Sequence, residues 1–262
     1  MNRPLILLSN DDGFRAKGLS SLRSALAGSA DVVTVAPEYE QSASSHALSL
    51  HRPLRFTSHE PNLHSVEGTP ADCVYTALFG GTRFLPRRPD LVLSGVNRGV
   101  NLAADVHYSG TVAAAREAAL RGIAAIAFSA DEEADLVAAS DLAARIALGL
   151  WKQKVGRAPL LLNVNFPKGS DWPIAITRLG SRIYRDGVEF RLDPRGRDYL
   201  WLGGPPGFEH LADIDTDTGA FEHGYVGITP LALATTSEMH RDLVKSIVES
   251  IRPIAPTPGA VN

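Results

Sequence analysis

The chain alternates short, wholly apolar segments with longer segments whose apolar residues recur at helical spacing. The first apolar run is Leu5–Leu8, and Leu19, Leu22 and Leu26 follow it at intervals of three and four residues. A strand that is apolar throughout is typical of a parallel sheet, because helices cover such a sheet on both faces. The pattern predicts an α/β fold with a Rossmann-like, mostly parallel sheet flanked by helices.

The same patterns predict the order of the elements and the organisation of the chain. Further strands are predicted at 32–36, 91–93, 123–128, 160–166 and 174–176, and further helices at 112–120, 136–151 and 237–251. Segment 182–202 is charged and aromatic and contains the turn signal Asp186-Gly187, so we predict a projecting β-hairpin there, followed by a loop over 203–217. The predicted parts are a catalytic core (1–170), a region with the hairpin arm, the final core strand or strands and a C-terminal oligomerisation helix (171–252), and a flexible tail (253–262).

Composition excludes several classes of protein. The 262 residues carry 26 Lys and Arg against 29 Asp and Glu, a balance that does not hold a protein on nucleic acid or on an anionic membrane. The single cysteine, Cys73, excludes an intramolecular disulfide and a cysteine-rich zinc site. No apolar run approaches the roughly 20 residues of a membrane span, and the first apolar stretch is too short for a secretory signal. We therefore expect a cytoplasmic protein without a membrane or a stable nucleic-acid partner.

Two adjacent acids, Asp11 and Asp12, follow the first predicted strand. Carboxylates side by side at the end of a buried strand repel each other and are costly to desolvate. A divalent ion such as Mg²⁺ or Mn²⁺ would relieve both penalties, because hard ions prefer oxygen ligands. The alternative is a helix N-cap, although one aspartate would suffice for that. Spacing alone does not separate the two interpretations.

Other polar loops are expected at the same edge of the sheet, where ligands bind in open parallel sheets. The loop after the second strand contains Ser42. The loop after the third strand contains Asn97, which could supply a neutral oxygen to a metal, and Gly95, whose lack of a side chain would let backbone N–H groups approach a ligand. The alternative for the Ser42 segment is a solvated loop, and the alternative for the segment with Gly95 and Asn97 is a glycine turn. Ser109-Gly110-Thr111 precedes a predicted helix, so it is either an anion site or a simple helix cap, or both.

Several known motifs are missing from the sequence. There is no G-x-G-x-x-G, no G-x-x-x-x-G-K-[ST] and no G-x-S-x-G. The missing glycine fingerprint disfavours a nicotinamide-dependent oxidoreductase on a similar sheet.

Taken together, the polar stretches resemble one family, the SurE survival-protein nucleotidases. The matching stretches are 6–13 with Gly18-Leu19, 36–43, 68–74, 89–101, 108–115, Asn163-Val164-Asn165, Thr216-Asp217, Gly224-Tyr225-Val226 and Thr229-Pro230-Leu231. Each stretch is weak by itself, whereas their order and number are highly specific. Ala43, where glycine is frequent in the family, and the poorly matched region 182–222 are the departures.

The resemblance implies a site and an activity. The implied ligands of one divalent ion (Mg²⁺ or Mn²⁺) per subunit are Asp11, Asp12, Ser42 and Asn97. The residues expected to face the phosphate are Asn10, Gly95, Asn101, Ser109, Gly110 and Thr111. The implied activity is hydrolysis of nucleoside 5′-monophosphates, and of 3′-monophosphates as well, with Asp11 and Asp12 as catalytic residues and Asp11 as general base or water orienter. A homodimer that exchanges terminal elements, or a tetramer built from it, is the implied assembly. The alternative from another class is a regulatory protein that binds nucleotides in the same pocket without turnover.

Overall fold

The computed structural model describes residues 3–153, 160–184, 187–203, 208–210, 213–236 and 241–250. Contacts between residues divide the chain into two units, Met1–Leu231 and Ala232–Asn262. The first unit contains all the described strands, and β-strands from the predicted region 171–252 belong to its main sheet.

The strands of the first unit form one large sheet and two small ones. In the described residues they are β1 (Leu5–Ser9), β2 (Asp31–Pro37), β3 (Phe56–Glu60), β4 (Leu63–Val66), β5 (Leu91–Arg98), β6 (Ala125–Ala130), β7 (Leu161–Phe166), β8 (Ile174–Ile176), β9 (Arg182–Tyr184), β10 (Val188–Leu192), β11 (Asp198–Leu202), β12 (Phe208–His210) and β13 (Val226–Pro230). The large sheet has the order β3-β4-β2-β1-β5-β6-β7-β13-β8. Its neighbours are parallel except β3 with β4 and β7 with β13, so the predicted mostly parallel sheet is confirmed.

Helices pack against this sheet in two pairs. The described helices are α1 (Lys17–Leu26), α2 (Pro70–Phe79), α3 (Gly110–Leu120), α4 (Leu136–Lys152), α5 (Asp217–Glu222) and α6 (Arg241–Ser250). Helix α1 packs on α4, and α2 packs on α3. All residues of β1 and of β6 are buried. Covering both faces in this way explains why these strands contain no alternation of apolar and polar residues.

The β3–β4 hairpin and α2 lie in a stretch for which the sequence patterns above predict no element. Helix α2 begins with a capping box, in which the Thr69 hydroxyl accepts the N–H of Asp72 and the Asp72 carboxylate accepts the N–H of Thr69. Pro70 occupies the first helical position, where its missing N–H costs nothing. The local signal for this helix is therefore present in the sequence.

The pairing predicted around Asp186-Gly187 is wrong. Strand β10 pairs with β11 across residues 193–197, and β9 pairs with β12. The Asp193 carboxylate accepts the N–H groups of Arg195 and Arg197, and Gly196 has a φ of 77°, so this segment makes the turn. Asp186 lies outside the described residues. The loop predicted over 203–217 contains β12 and ends where α5 begins.

The second unit contains α6, the described part of the helix predicted at 237–251. Its Leu243, Val244, Ile247 and Val248 are exposed. Residues 237–240 and 251–262, and with them the predicted tail, lie outside the described residues. Across the described ranges, no helix has the length and apolar character needed to span a membrane.

Candidate active site

The loops after β1, β2 and β5 meet at the carboxyl edge of the large sheet, where β1 lies between the other two strands. The chain leaves β1 toward α1 and leaves β5 toward α3, which belong to different helix pairs. Such a point of divergence is where open α/β sheets bind ligands. Gly18 lets α1 approach β5 closely, since a Cβ at this position would lie 1.9 Å from the carbonyl oxygen of Val96.

Asp11 lies two residues after the end of β1 and is only 5 % exposed. The Thr111 hydroxyl donates a hydrogen bond to Asp11 Oδ1, and the Thr111 backbone N–H also donates to this carboxylate. Burial raises the pKa of Asp11 from 3.8 to about 6; the Thr111 hydroxyl opposes this rise, and the charge of Asp12 adds to it. The surrounding donors therefore compensate the buried charge only in part.

Asp12 is half-buried, and the backbone N–H of Arg98 donates to its Oδ2 over 3.3 Å. Burial also raises the pKa of Asp12; the N–H of Arg98 opposes this rise, and the nearby charge of Glu40 adds to it. The Ser42 hydroxyl donates to Glu40 Oε1 over 2.8 Å. Three acidic side chains thus crowd one edge of the sheet, and Ser42 lies among them.

Strand β5 is longer than the predicted 91–93, so Asn97 lies on a strand and not in a loop. The pairing of β5 with β6 shifts its register between Ser94 and Asn97. Gly95 lies within this shift with a φ of 124°, and a Cβ there would lie 2.2 Å from the carbonyl oxygen of Phe128. Gly95 therefore has a packing role, and its part in substrate binding stays a prediction. Asn97 Nδ2 donates to the carbonyl oxygen of Gly99 over 2.8 Å, which orients the amide.

Two neighbouring depressions open at this edge and share Ser42, Asn97 and Arg98. The smaller, of about 260 Å³, is also lined by Asp11. The larger, of about 860 Å³, is also lined by Asp12. The four predicted metal ligands therefore come together where the two depressions meet.

The N-terminus of α3 lies against Asp11. A Cβ on Gly110 would lie 2.8 Å from Asp11 Cβ and 3.0 Å from Asp11 Oδ2, so glycine permits this close contact. Ser109 caps the helix by accepting the N–H of Val112 over 3.1 Å, and it lines the smaller depression. Thr111 is fully buried, and its hydroxyl donates to Asp11. This hydroxyl therefore holds the Asp11 carboxylate, and the predicted part of Thr111 in phosphate binding stays a prediction.

The remaining predicted residues are Asn10 and Asn101, and both are held by hydrogen bonds. Asn10 Nδ2 donates to the carbonyl oxygen of Gly13 over 2.9 Å, whereas Asn10 Oδ1 is buried and has no hydrogen-bond partner among the described residues. Asn101 lines the smaller depression, and its Nδ2 donates to Ser129 Oγ over 2.8 Å.

The backbone of Asn101 is fixed by two side chains of β7. Asn165 Oδ1 accepts the Asn101 N–H over 2.8 Å. Asn163 Nδ2 and Asn165 Nδ2 both donate to the Asn101 carbonyl oxygen, over 2.8 and 3.0 Å. The Asn163-Val164-Asn165 stretch, to which the sequence analysis assigned no role, therefore positions a residue of the site.

Asp217 is a supporting residue that sequence reasoning missed. It is 1 % exposed, and its carboxylate accepts the N–H groups of Ala103 (2.9 Å), Gly180 (2.7 Å) and Thr218 (2.8 Å). Ala103 has a φ of 49°, a conformation that non-glycine residues adopt only when their surroundings hold it. Asp217 therefore fixes the loop that carries Asn101. In the sequence, Thr216-Asp217 indicates only a helix cap followed by an acid in the first turn.

Comparison with known proteins identifies the family. The sequence profile described as "Survival protein SurE" matches residues 6–186. The chain belongs to the SurE family. A 5′-nucleotidase SurE of Sorangium cellulosum (strain So ce56) is 55 % identical to it over 244 residues, which cover 92 % of this chain and 94 % of the relative. A 5′-nucleotidase SurE of Anaeromyxobacter sp. (strain Fw109-5) is 48 % identical over 238 residues, covering 89 % and 91 %.

The fold is shared as well. The crystal structure of the SurE protein from Aquifex aeolicus superposes with a TM-score of 0.80 at 35 % sequence identity, covering 93 % of this chain and 99 % of that one. These similarities confirm the SurE resemblance and the predicted α/β class.

Proposed function

We propose that this chain is a divalent-metal-dependent nucleotidase that hydrolyses nucleoside 5′-monophosphates, and 3′-monophosphates as well, to nucleoside and phosphate. The observation that carries the proposal is the placement of Asp11, Asp12, Ser42 and Asn97 where two depressions meet, with the N-terminus of α3 against Asp11. The similarity to relatives named 5′-nucleotidase SurE supports the 5′-nucleotidase part.

The chemistry of the four side chains fits one hard divalent ion. Two carboxylates, an amide oxygen and a hydroxyl are oxygen donors of the kind that Mg²⁺ and Mn²⁺ prefer. Within the part of the chain that the structure describes, no three His, Cys, Asp or Glu side chains form a metal-binding group, so the proposed site combines the two carboxylates with Ser42 and Asn97. Burial raises the pKa of both Asp11 and Asp12, and at Asp12 the positive charge of Arg98 offsets this rise only in part. When bound, such an ion supplies positive charge that polarises the phosphorus of the ester.

The charges of this site favour a dianionic substrate only when the ion is present. Asp11 and Asp12 together carry −2, which would repel a phosphate dianion. A divalent ion brings their sum to about zero. The N-terminus of α3 adds the positive end of a helix dipole, which stabilises charge on phosphoryl oxygens. Ser109 accepts one N–H as the helix cap, and its own O–H is left to donate.

Asp11 is the residue we assign as base or water orienter, because Thr111 fixes it while it lines the smaller depression. Water attacks the phosphorus, and the bond from phosphorus to the nucleoside oxygen breaks. One water proton passes to Asp11, and the leaving oxygen takes a proton from solvent. Asn101 binds the phosphate in a fixed position because Ser129, Asn163 and Asn165 hold it.

A substrate panel tests the proposed function. Purified protein with Mn²⁺ or Mg²⁺ is expected to release inorganic phosphate from nucleoside 5′-monophosphates and, more broadly, from 3′-monophosphates. Binding of these nucleotides without phosphate release would replace the proposal with the regulatory alternative. Release from 5′-monophosphates alone would remove the 3′-activity.

We also propose a homodimer, or a tetramer built from it. Phe190, Leu192, Trp201 and Leu202 on β10 and β11 are exposed, as is the apolar side of α6, and such apolar surface is unusual for a solitary chain in water. Light scattering after gel filtration is expected to give twice the chain mass of 28.0 kDa for a dimer, or four times that mass for a tetramer. A mass of one chain at all concentrations would contradict the proposal.

A further inference from the structure

Arg98 is the last residue of β5, and its side chain ends in solvent beside the candidate site. Its backbone N–H is held by Asp12, whereas its side chain is 77 % exposed. Arg98 Nε lies 3.2 Å from Glu132 Oε1, and the Glu132 side chain is 66 % exposed. Both depressions are lined by Arg98. The main chain of Arg98 is therefore anchored in the site, while its guanidinium pairs with the exposed Glu132 and its charge also attracts the Asp12 carboxylate.

The smaller depression needs a cation that the chain itself supplies. Its lining residues in the described chain include Asp11 and Asp105, and Arg98 is the only lysine or arginine among them. When a divalent ion neutralises Asp11 and Asp12, an arriving phosphate dianion still leaves the site negative. A guanidinium presents N–H groups as a planar fork that matches two phosphate oxygens. Arg98 therefore has the charge, the geometry and the position to bind the substrate phosphate.

Glu132 competes for the same guanidinium. Ion pairs between exposed side chains are weak, because water screens them and both side chains lose freedom on pairing. A phosphate dianion in a partly buried site offers a stronger partner than a solvated carboxylate. Exchange of Glu132 for phosphate thus breaks only a solvent-exposed ion pair.

We infer that Arg98 binds the phosphate of the substrate, and that Glu132 holds Arg98 in the empty site and lowers substrate affinity by competing with it. The inference rests on the proposed nucleotidase function. It assigns a substrate-binding residue outside the metal ligands and the phosphate-facing residues that the sequence predicted.

The two partners are expected to have opposite effects. Arg98→Gln should raise KM for a nucleoside 5′-monophosphate, and Ki for inorganic phosphate, by about tenfold, because a charge-assisted contact to phosphate is lost. Arg98→Lys should give intermediate values, because one ammonium lacks the fork. Glu132→Gln should lower KM and Ki by roughly threefold, because the competing carboxylate is gone.

A double variant separates competition from a general field effect. If Glu132 acts through Arg98, Glu132→Gln should change neither KM nor Ki in an Arg98→Gln background. If Glu132 repels phosphate directly, it should lower both values by the same factor in either background, and that result would overturn the competition. Arg3 and Asp31 form a control ion pair, with 3.4 Å between Arg3 Nε and Asp31 Oδ1, and both side chains are exposed. The pair lies where β1 begins, at the edge of the sheet opposite to the candidate site, and Asp31 pairs there with Leu5. Arg3→Gln and Asp31→Asn should leave KM and Ki unchanged.

The outcomes for this inference differ from those for the proposed function. If the wild-type protein releases no phosphate, the function proposal fails. If it releases phosphate, but Arg98→Gln leaves KM and the phosphate Ki within about twofold of wild type, the Arg98 assignment fails. An unchanged or raised KM in Glu132→Gln would overturn the competing role of Glu132.

Discussion

Asp11→Asn is expected to lower kcat for phosphate release by about a thousandfold, and Asp12→Asn by a similar factor. Each substitution removes one of two charged ligands from the proposed ion site, and Asp11→Asn also removes the proposed base. The fold should persist, because asparagine has the size of aspartate and its Oδ1 can still accept the Thr111 hydroxyl. Initial rates with saturating Mn²⁺ and a nucleoside 5′-monophosphate measure the effect.

Asp90→Asn is the matched control for these two variants. The Asp90 carboxylate accepts the N–H of Leu5 over 2.7 Å and pairs with Arg87, but it lies at the edge of the sheet where β1 begins. Its kcat should stay within about twofold of wild type. If Asp11→Asn and Asp12→Asn retained kcat like this control while folded, neither aspartate would be catalytic.

The metal-free Asp11→Asn protein is expected to be more stable than metal-free wild type at neutral pH. Burial raises the pKa of Asp11 in the folded chain from 3.8 to about 6. The hydrogen bond from the Thr111 hydroxyl opposes this rise, and the charge of Asp12 adds to it. The folded state therefore holds its proton more tightly than the unfolded state. The contribution of Asp11 to wild-type stability is therefore greatest below pH 3.8, is lost as the pH rises from 3.8 to about 6, and stays at its minimum above pH 6. Removing the ionisable group should gain up to about 3 kcal/mol above pH 6 and nothing below pH 4.

Thermal unfolding in EDTA as a function of pH measures this difference. At pH 8 the Tm of Asp11→Asn should exceed that of wild type by about 5–10 °C, and the two should converge near pH 4. Added Mn²⁺ should raise the Tm of wild type far more than that of the variant, because only wild type keeps both carboxylates. A variant less stable than wild type at pH 8 in EDTA would contradict the assigned cost of the buried charge.

Chelation is expected to have an effect as large as the aspartate substitutions. EDTA in excess should lower phosphate release by about a thousandfold, because the site then carries −2 and repels the substrate. Mn²⁺ or Mg²⁺ added beyond the chelator should restore the rate, whereas Na⁺ or K⁺ should not. The same assay at several divalent concentrations gives the affinity for each ion.

The chelated protein should remain folded, so that the lost rate reflects the site alone. Circular dichroism before and after chelation checks this. Full activity in EDTA, after dialysis against chelator to remove tightly held ions, would exclude a metal-dependent reaction.

The sheet and the acidic pair were predictable because their signals are local. An apolar run such as Leu5–Leu8 indicates a strand buried on both faces, and the two acids that follow it are placed by chain connectivity alone. Asn97 was assigned to the correct edge, but the extent of β5 was missed. Gly95 and the polar residues after it interrupt the apolar pattern, and only the neighbouring strand β6 shows that pairing continues to Arg98.

The role of Thr111 could not be predicted, because it depends on a tertiary distance. A threonine at the start of a helix can face a ligand or the protein, and the packing of α3 against the end of β1 decides between them. Here the close contact of Gly110 with Asp11 turns the Thr111 hydroxyl onto the carboxylate. Asp217 was missed for the same reason, since Ala103, one of its partners, lies 114 residues away in the sequence.

The position of the hairpin turn was missed because two turn signals compete. Asp186-Gly187 and the segment 193–197 both suit a turn, and strand pairing selects the second. A local rule cannot make that choice, because it depends on which of the flanking segments can pair.

The most direct measurement of the central claim is anomalous scattering from crystals soaked in Mn²⁺. We expect one strong anomalous peak per chain, with oxygen atoms of Asp11, Asp12, Ser42 and Asn97 at about 2.0–2.3 Å. No peak at this edge of the sheet, with both carboxylates turned toward solvent, would contradict the account.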